Sequence, residues 1–129
     1  MTLLQPIGGN DTAMHVEPER FQLFAAPEIA ASPYWQAGVC FLPKCGKRFE
    51  PARDWQLYCC KKCEHLGASE FRKWGSKMAL PMLLHRQGKY DRDDAGVMAL
   101  TKAARTYVGQ VQTSWLESRK LRANQGEAK

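Results

Sequence analysis

The clearest hydrophobic pattern lies at the C-terminal end. Val97, Leu100, Ala104, Tyr107, Val108, Val111 and Trp115 recur at spacings of three and four, which predicts an amphipathic helix with one apolar stripe. Lys102 and Lys120 fall on its opposite face, with Arg105 and Arg119 on the flank. Asp93 or Asp94, in a loop that starts at Asp91, is placed to cap its N-terminus. Upstream, Leu66 to Ala79 contains few helix breakers and reads as a helix growing out of the last cysteine, Cys63. Pro81 is expected to kink or restart that helix, because proline lacks the N–H that bonds residue i−4. Met82, Leu83 and Leu84 then make a short apolar turn that Gly88 is placed to cap. The stripe is expected to pack against this first helix.

The first ~35 residues carry no clean period of 3.6 or 2. Pro6, Gly8, Gly9, Pro18, Pro27 and Pro33 interrupt them, although Phe21, Leu23, Phe24, Ile29, Tyr34 and Trp35 are apolar. The expected organisation is a flexible arm over 1–37, a cysteine-bearing module with its helix over 38–80, a helical segment over 81–124 and a tail over 125–129.

Composition limits what this chain does. At 129 residues, 44% hydrophobic and 25% charged, it has room for one small domain plus tails and no room for a large enzyme with a deep cleft. No apolar run reaches the ~18 residues of a membrane span, and no signal peptide is evident, so a cytoplasmic location is expected. Charge is uneven. Residues 1–39 hold four acids against Arg20, whereas the remainder holds 18 bases and 9 acids within a total net charge of +6. A basic region behind an acidic leader suits contact with a polyanion.

All five cysteines fall between residues 38 and 65. Cys40 and Cys45 form one close pair, and Cys59 or Cys60 forms a second with Cys63. Four thiolates at about 2.3 Å satisfy tetrahedral Zn2+, and two short-range pairs bring them together at little loop entropy. Gly46, directly after Cys45, suits a tight metal knuckle because glycine enters positive φ freely, and its backbone can direct N–H groups at sulfur. Phe49 and Tyr58 flank the pairs and are expected to supply apolar contacts. The spacing leaves Cys59, Cys60 and His65 open as ligands beside Cys63. The Cys59 reading places one ligand before a helix and Cys63 in its first turn, where the positive helix end favours thiolate. One structural zinc ion is expected, contributing on the order of 10 kcal/mol to the folding of so small a core.

The string Cys45-Gly-Lys-Arg-Phe-Glu-Pro-Ala-Arg53, followed by Trp55-Gln-Leu-Tyr-Cys-Cys-Lys-Lys-Cys63, resembles the short treble-clef zinc fingers of bacterial and prophage reading frames. Their pattern is roughly C-x2-C-G-x-x-F-x-P-x-R-x-x-Q-x-[YF]-C-S-x-x-C. The resemblance implies a small zinc-stabilised α+β finger, a short hairpin plus helix, followed by C-terminal helices in an α-rich chain. It also implies Cys40, Cys45, Cys59 and Cys63 as the metal ligands. Two features depart from the pattern: four residues separate Cys40 from Cys45 in place of two, and Cys60 replaces serine.

Lys44, Lys47, Arg48, Arg53, Lys61 and Lys62 surround the cysteines, and Arg72, Lys73 and Lys77 follow on the helix. They are the expected nucleic-acid contacts, enough for about six to nine phosphates and a steep salt dependence. Trp55 and Tyr58 are candidates for stacking on bases or for the core. With the resemblance, these features point to a transcription regulator of phage or prophage type that binds nucleic acid. The alternative is an adaptor docking on RNA polymerase in the manner of an antitermination factor. Enzymatic activity is not expected, because His15, His65 and His85 are scattered and the Asp91, Asp93 and Asp94 loop reads as solvated capping.

Overall fold

The computed structural model describes residues 17–32 and 34–127. The chain groups into two compact units. One joins the described residues up to Ala37 with Pro51–Gln56, and the other joins Gly38–Glu50 with everything from Leu57 onward.

In the first unit, the stretch without periodicity forms two short helices, α1 (Phe21–Phe24) and α2 (Ala26–Ala31). Pro27 sits in the first turn of α2, where a missing N–H costs no helical hydrogen bond. The Gln22 amide donates to the Trp55 carbonyl at 3.4 Å, and the Arg20 guanidinium lies 4.8 Å from the centre of the Trp55 ring. Trp55 is thus half-buried within this unit. The calls on residues 1–16, His15 included, lie outside the described residues.

The second unit is dominated by two long helices, α3 (Lys61–Gly88) and α4 (Ala95–Glu127). α3 runs through Pro81 without a restart, one of the two sequence expectations there, the other being a kink. The lost N–H costs one internal bond, about 3 kcal/mol, and packing against α4 offsets it. Gly88 is not a left-handed cap either. Among the described residues only Gly38 and Gly46 have positive φ. Gly88 is buried because α4 crosses it closely: a Cβ there would overlap the Thr101 hydroxyl and lie 2.9 Å from Val97. Asp94 does cap α4, its carboxylate accepting from the N–H groups of Gly96 (2.8 Å) and Val97 (3.1 Å). α4 continues to Glu127, into the tail expected over 125–129.

The apolar stripe of α4 faces α3 as expected, with Ala104 and Val111 buried. Leu100 and Tyr107 sit at its edge, 50% and 43% exposed. A chain of rings links the cysteine region to the helical pair. Tyr58 meets Phe41 edge-on at 6.4 Å, Phe41 meets Phe71 at 6.3 Å, Phe71 meets Trp115 at 5.8 Å, and Trp115 stacks on Trp74 at 6.1 Å. Edge-to-face and offset pairs of this kind contribute beyond their buried area.

Candidate metal centre

The loop that carries Cys40 and Cys45 is held by its own backbone. An isolated antiparallel bridge pairs Val39 with Arg48. Cys40 N–H donates to the Lys47 carbonyl and Phe49 N–H to that of Gly38, both at 2.8 Å. Cys45 N–H closes a turn onto the Leu42 carbonyl at 2.9 Å, and Gly46 leaves it with φ of 63°. The sequence expectation for Gly46 holds. The second pair arrives on an extended segment, fastened by Phe41 N–H donating to the Leu57 carbonyl at 2.8 Å. Cys60 is then the N-cap of α3 and Cys63 lies in its first turn.

This arrangement converges four thiols. The sulfurs of Cys40, Cys45, Cys59 and Cys63 all lie within 4.8 Å of one another. Cys59 Sγ is 3.8 Å from both Cys45 Sγ and Cys63 Sγ. A tetrahedron with metal–sulfur bonds of about 2.3 Å has edges of about 3.8 Å, whereas a disulfide needs about 2.05 Å. The sulfurs therefore have the spacing of ligands to one metal ion and are not bonded to each other. Cys40 and Cys63 are buried, Cys59 is half-buried and Cys45 exposed. Cys60 and His65 are exposed and outside the cluster, so Cys59 is the member that the spacing alone left open. Tyr58 is buried with Cys40 and Cys63, and Phe49 packs against them, as expected of the flanking aromatics. Buried there, Tyr58 offers no face for stacking on a base.

Without a cation Cys45, Cys59 and Cys63 do not ionise alike. Burial opposes the Cys45 thiolate, but the Lys47 N–H and the neighbouring thiols outweigh it, and its pKa falls below the ordinary value. Burial, then hydrogen bonding with Cys45, pushes the Cys59 thiol up to about 12, and burial pushes Cys63 up as well. The surroundings thus favour the thiolate at Cys45 and the thiol at Cys59 and Cys63. A bound dication removes the conflict and expels the remaining protons.

The expected nucleic-acid contacts Lys44, Lys47, Arg48, Arg53, Lys61, Lys62, Arg72, Lys73 and Lys77 are all exposed. Eight share the unit that holds the thiol cluster, while Arg53 belongs to the unit of α1 and α2. Lys61 pairs with Glu64 at 3.4 Å, Arg72 donates to the Ser69 hydroxyl at 3.1 Å, and the Lys73 ammonium lies 5.1 Å from the centre of the Trp74 ring. No family model, curated protein or solved structure matches this chain. The geometry of the site therefore carries the functional reading. Among the described residues, no helix is long and apolar enough to cross a membrane.

Sequence reasoning missed the group that braces the thiol cluster. Glu70 is buried on α3 and accepts from Trp115 Nε1 at 2.7 Å, from one Arg119 nitrogen at 2.8 and 3.0 Å, and from Arg122 at 2.8 Å. Arg119, expected on the flank of α4, turns inward instead. It also donates to the carbonyl of Phe41, the residue after Cys40, and its guanidinium lies 4.0 Å from the centre of the Phe41 ring. One arginine thus fixes the first cysteine pair to both long helices. The available signal was a glutamate in register with Cys63, Gly67 and Trp74, on the inner face of α3.

Proposed function

We propose that this chain is a structural zinc module of treble-clef type that acts in transcription by binding nucleic acid through the basic surface around its four-cysteine site. The observation that carries the reading is the company the thiol cluster keeps. Eight of the nine cations expected as nucleic-acid contacts share its compact unit and are exposed, and of these eight only Lys61 is ion-paired among the described residues. Unpaired, solvated cations concentrated on one small unit are the footprint of a phosphate-binding surface. Four sulfurs within 4.8 Å of one another can fill all four positions on a zinc ion, which favours a structural over a catalytic ion. The treble-clef reading is supported by the order of parts: a glycine-turned knuckle, a short backbone pairing, then a second cysteine pair delivering Cys63 to the first turn of a helix. The phage or prophage setting rests on the resemblance of Cys45–Cys63 to such fingers.

The test is fluorescence anisotropy of labelled DNA and RNA fragments with zinc-loaded protein across a salt series. Six to eight phosphate contacts predict a log–log slope of about −5 to −7 on duplex DNA. A flat or absent response overturns the reading.

A second reading has its own support. Leu80, Met82 and Leu83 on α3 and Leu116 and Leu121 on α4 are each more than half exposed, which suits an adaptor that docks on a protein such as RNA polymerase. Such an adaptor binds purified polymerase and not bare nucleic acid.

A further inference from the structure

The connection between the two long helices lies far from the thiol cluster. Cys63 and Gly88 are separated by about 38 Å of helix at 1.5 Å per residue. Here α3, its loop and the start of α4 enclose a cleft of about 250 Å³. Its charged lining is one-sided: Lys89, Arg92, Lys102 and Arg105 against a single carboxylate, Asp91, with His85 beside them. Asp91 already accepts from the Asp93 N–H at 3.2 Å, and Asp94 is committed to capping α4. Neither Lys89, Arg92, Lys102 nor Arg105 forms an ion pair among the described residues; the acids that take cations elsewhere are Glu64, Glu70 and Glu117. The walls are set by the close crossing of Gly88 and Thr101, which leaves no room for a Cβ at 88.

Four cations, Lys89 and Arg92 from the connection and Lys102 and Arg105 from α4, repel one another unless an anion lies between them. They converge on a concave surface and do not spread over a solvated face. A further lining residue decides between anions. Tyr90 is 74% exposed, with the Lys89 ammonium 5.4 Å from its ring centre. An exposed ring beside clustered cations is the pairing that stacks a base while its phosphate is neutralised. An inorganic phosphate has no use for it.

We propose that the cleft at the α3–α4 connection is a phosphate-binding site for a nucleic-acid backbone, distinct from the basic surface around the metal centre. It rests on the nucleic-acid reading above, and adds to it a second point of attachment at the far end of α3. A chain held at both ends of one rigid helix reads length as well as charge.

The experiment uses the full zinc-loaded chain and two double variants, Lys102→Gln/Arg105→Gln in the cleft and Lys61→Gln/Lys62→Gln at the start of α3. All four side chains are exposed, and unchanged zinc content and melting temperature confirm each fold. Binding to a labelled mixed-sequence duplex is measured across salt. In parallel, amide NMR shifts of Gly88 and Thr101 are followed on titration with inorganic pyrophosphate. The cleft variant is expected to lose about two units of salt slope and tenfold or more in affinity, as two lost phosphate contacts require. A Tyr90→Ala variant is expected to lose affinity for a labelled single strand, whose bases are open to stacking, with the slope unchanged. If the cleft variant matches wild type while Lys61→Gln/Lys62→Gln does not, the cleft proposal is overturned and the nucleic-acid reading stands. If wild type binds no duplex but pyrophosphate shifts Gly88 and Thr101, the cleft is a site for a free phosphate, and the nucleic-acid source is overturned with the reading it rests on.

Discussion

Replacing Glu70 by glutamine keeps the shape of the side chain and removes its charge, and it tests how the thiol-bearing loop is held to the helices. The Glu70 side chain is only 3% exposed, and its two oxygens accept four hydrogen bonds from Trp115, Arg119 and Arg122. Breaking a fully buried ion pair by removing one partner costs about 3–5 kcal/mol, because a charge is left uncompensated. Here Arg119 and Arg122 retain 20% and 28% exposure, so water recovers part of that, and the expected loss is about 2–3 kcal/mol. Urea unfolding of both proteins at one buffered free-zinc concentration measures it. The pH dependence is a second readout. Burial alone would raise the pKa of Glu70, but the hydrogen bonds from Trp115, Arg122 and Arg119 outweigh burial and hold it below the ordinary value. A depressed folded-state pKa contributes stability above the unfolded value, about 4.3, which is lost as pH falls through the folded value. The gap between wild type and Glu70→Gln is therefore full at neutral pH and closes below about pH 4. Acid displaces the metal from both proteins, so the difference is the informative quantity. A gap under about 1 kcal/mol at pH 7, or one that persists undiminished at low pH, refutes the reasoning.

Three glycines make a matched set of further predictions. Gly67→Ala places a Cβ into the Tyr58 ring, which is buried with Cys40 and Cys63; stability falls by about 1–3 kcal/mol and zinc affinity falls with it, read by competition with a chromophoric chelator. Gly46→Ala meets no atom within 4 Å but keeps φ at +63°, so it costs only about 1 kcal/mol of left-handed backbone strain. Gly75→Ala lies inside α3 with nothing within 4 Å and raises the melting temperature through helix propensity, by about 1 kcal/mol. Equal effects at all three positions would contradict the placement of Tyr58 against α3.

Local spacing made part of this molecule legible. The two cysteine pairs and Gly46 are a chemical requirement written within a few residues, and the α4 stripe is a helical period sustained over five turns. Cys59 and Cys60 could not be separated, because both spacings to Cys63 suit a metal; the start of α3 at Lys61 decides it by making Cys60 the exposed cap. Glu70 was opaque because its partners lie 45 to 52 residues away, and nothing local distinguishes a buried glutamate from a solvated one. The restart expected at Pro81 failed for the opposite reason. The proline's local cost is real, but the packing of α4 against α3 is a tertiary effect that outweighs it. The short helices α1 and α2 escaped because turns of four and six residues are too brief to show a period.

The four-sulfur metal site is the claim on which the rest depends. It is tested most directly by loading the reduced chain with Co2+ and recording its absorption spectrum for the wild type, Cys59→Ser and Cys60→Ser. One cobalt per chain is predicted, with the intense visible bands of a tetrahedral ion and the sulfur-to-metal charge transfer of four thiolates. Those signals should be unchanged in Cys60→Ser and diminished in Cys59→Ser. Weak octahedral absorption, or loss of the spectrum in Cys60→Ser with Cys59→Ser intact, would contradict the account.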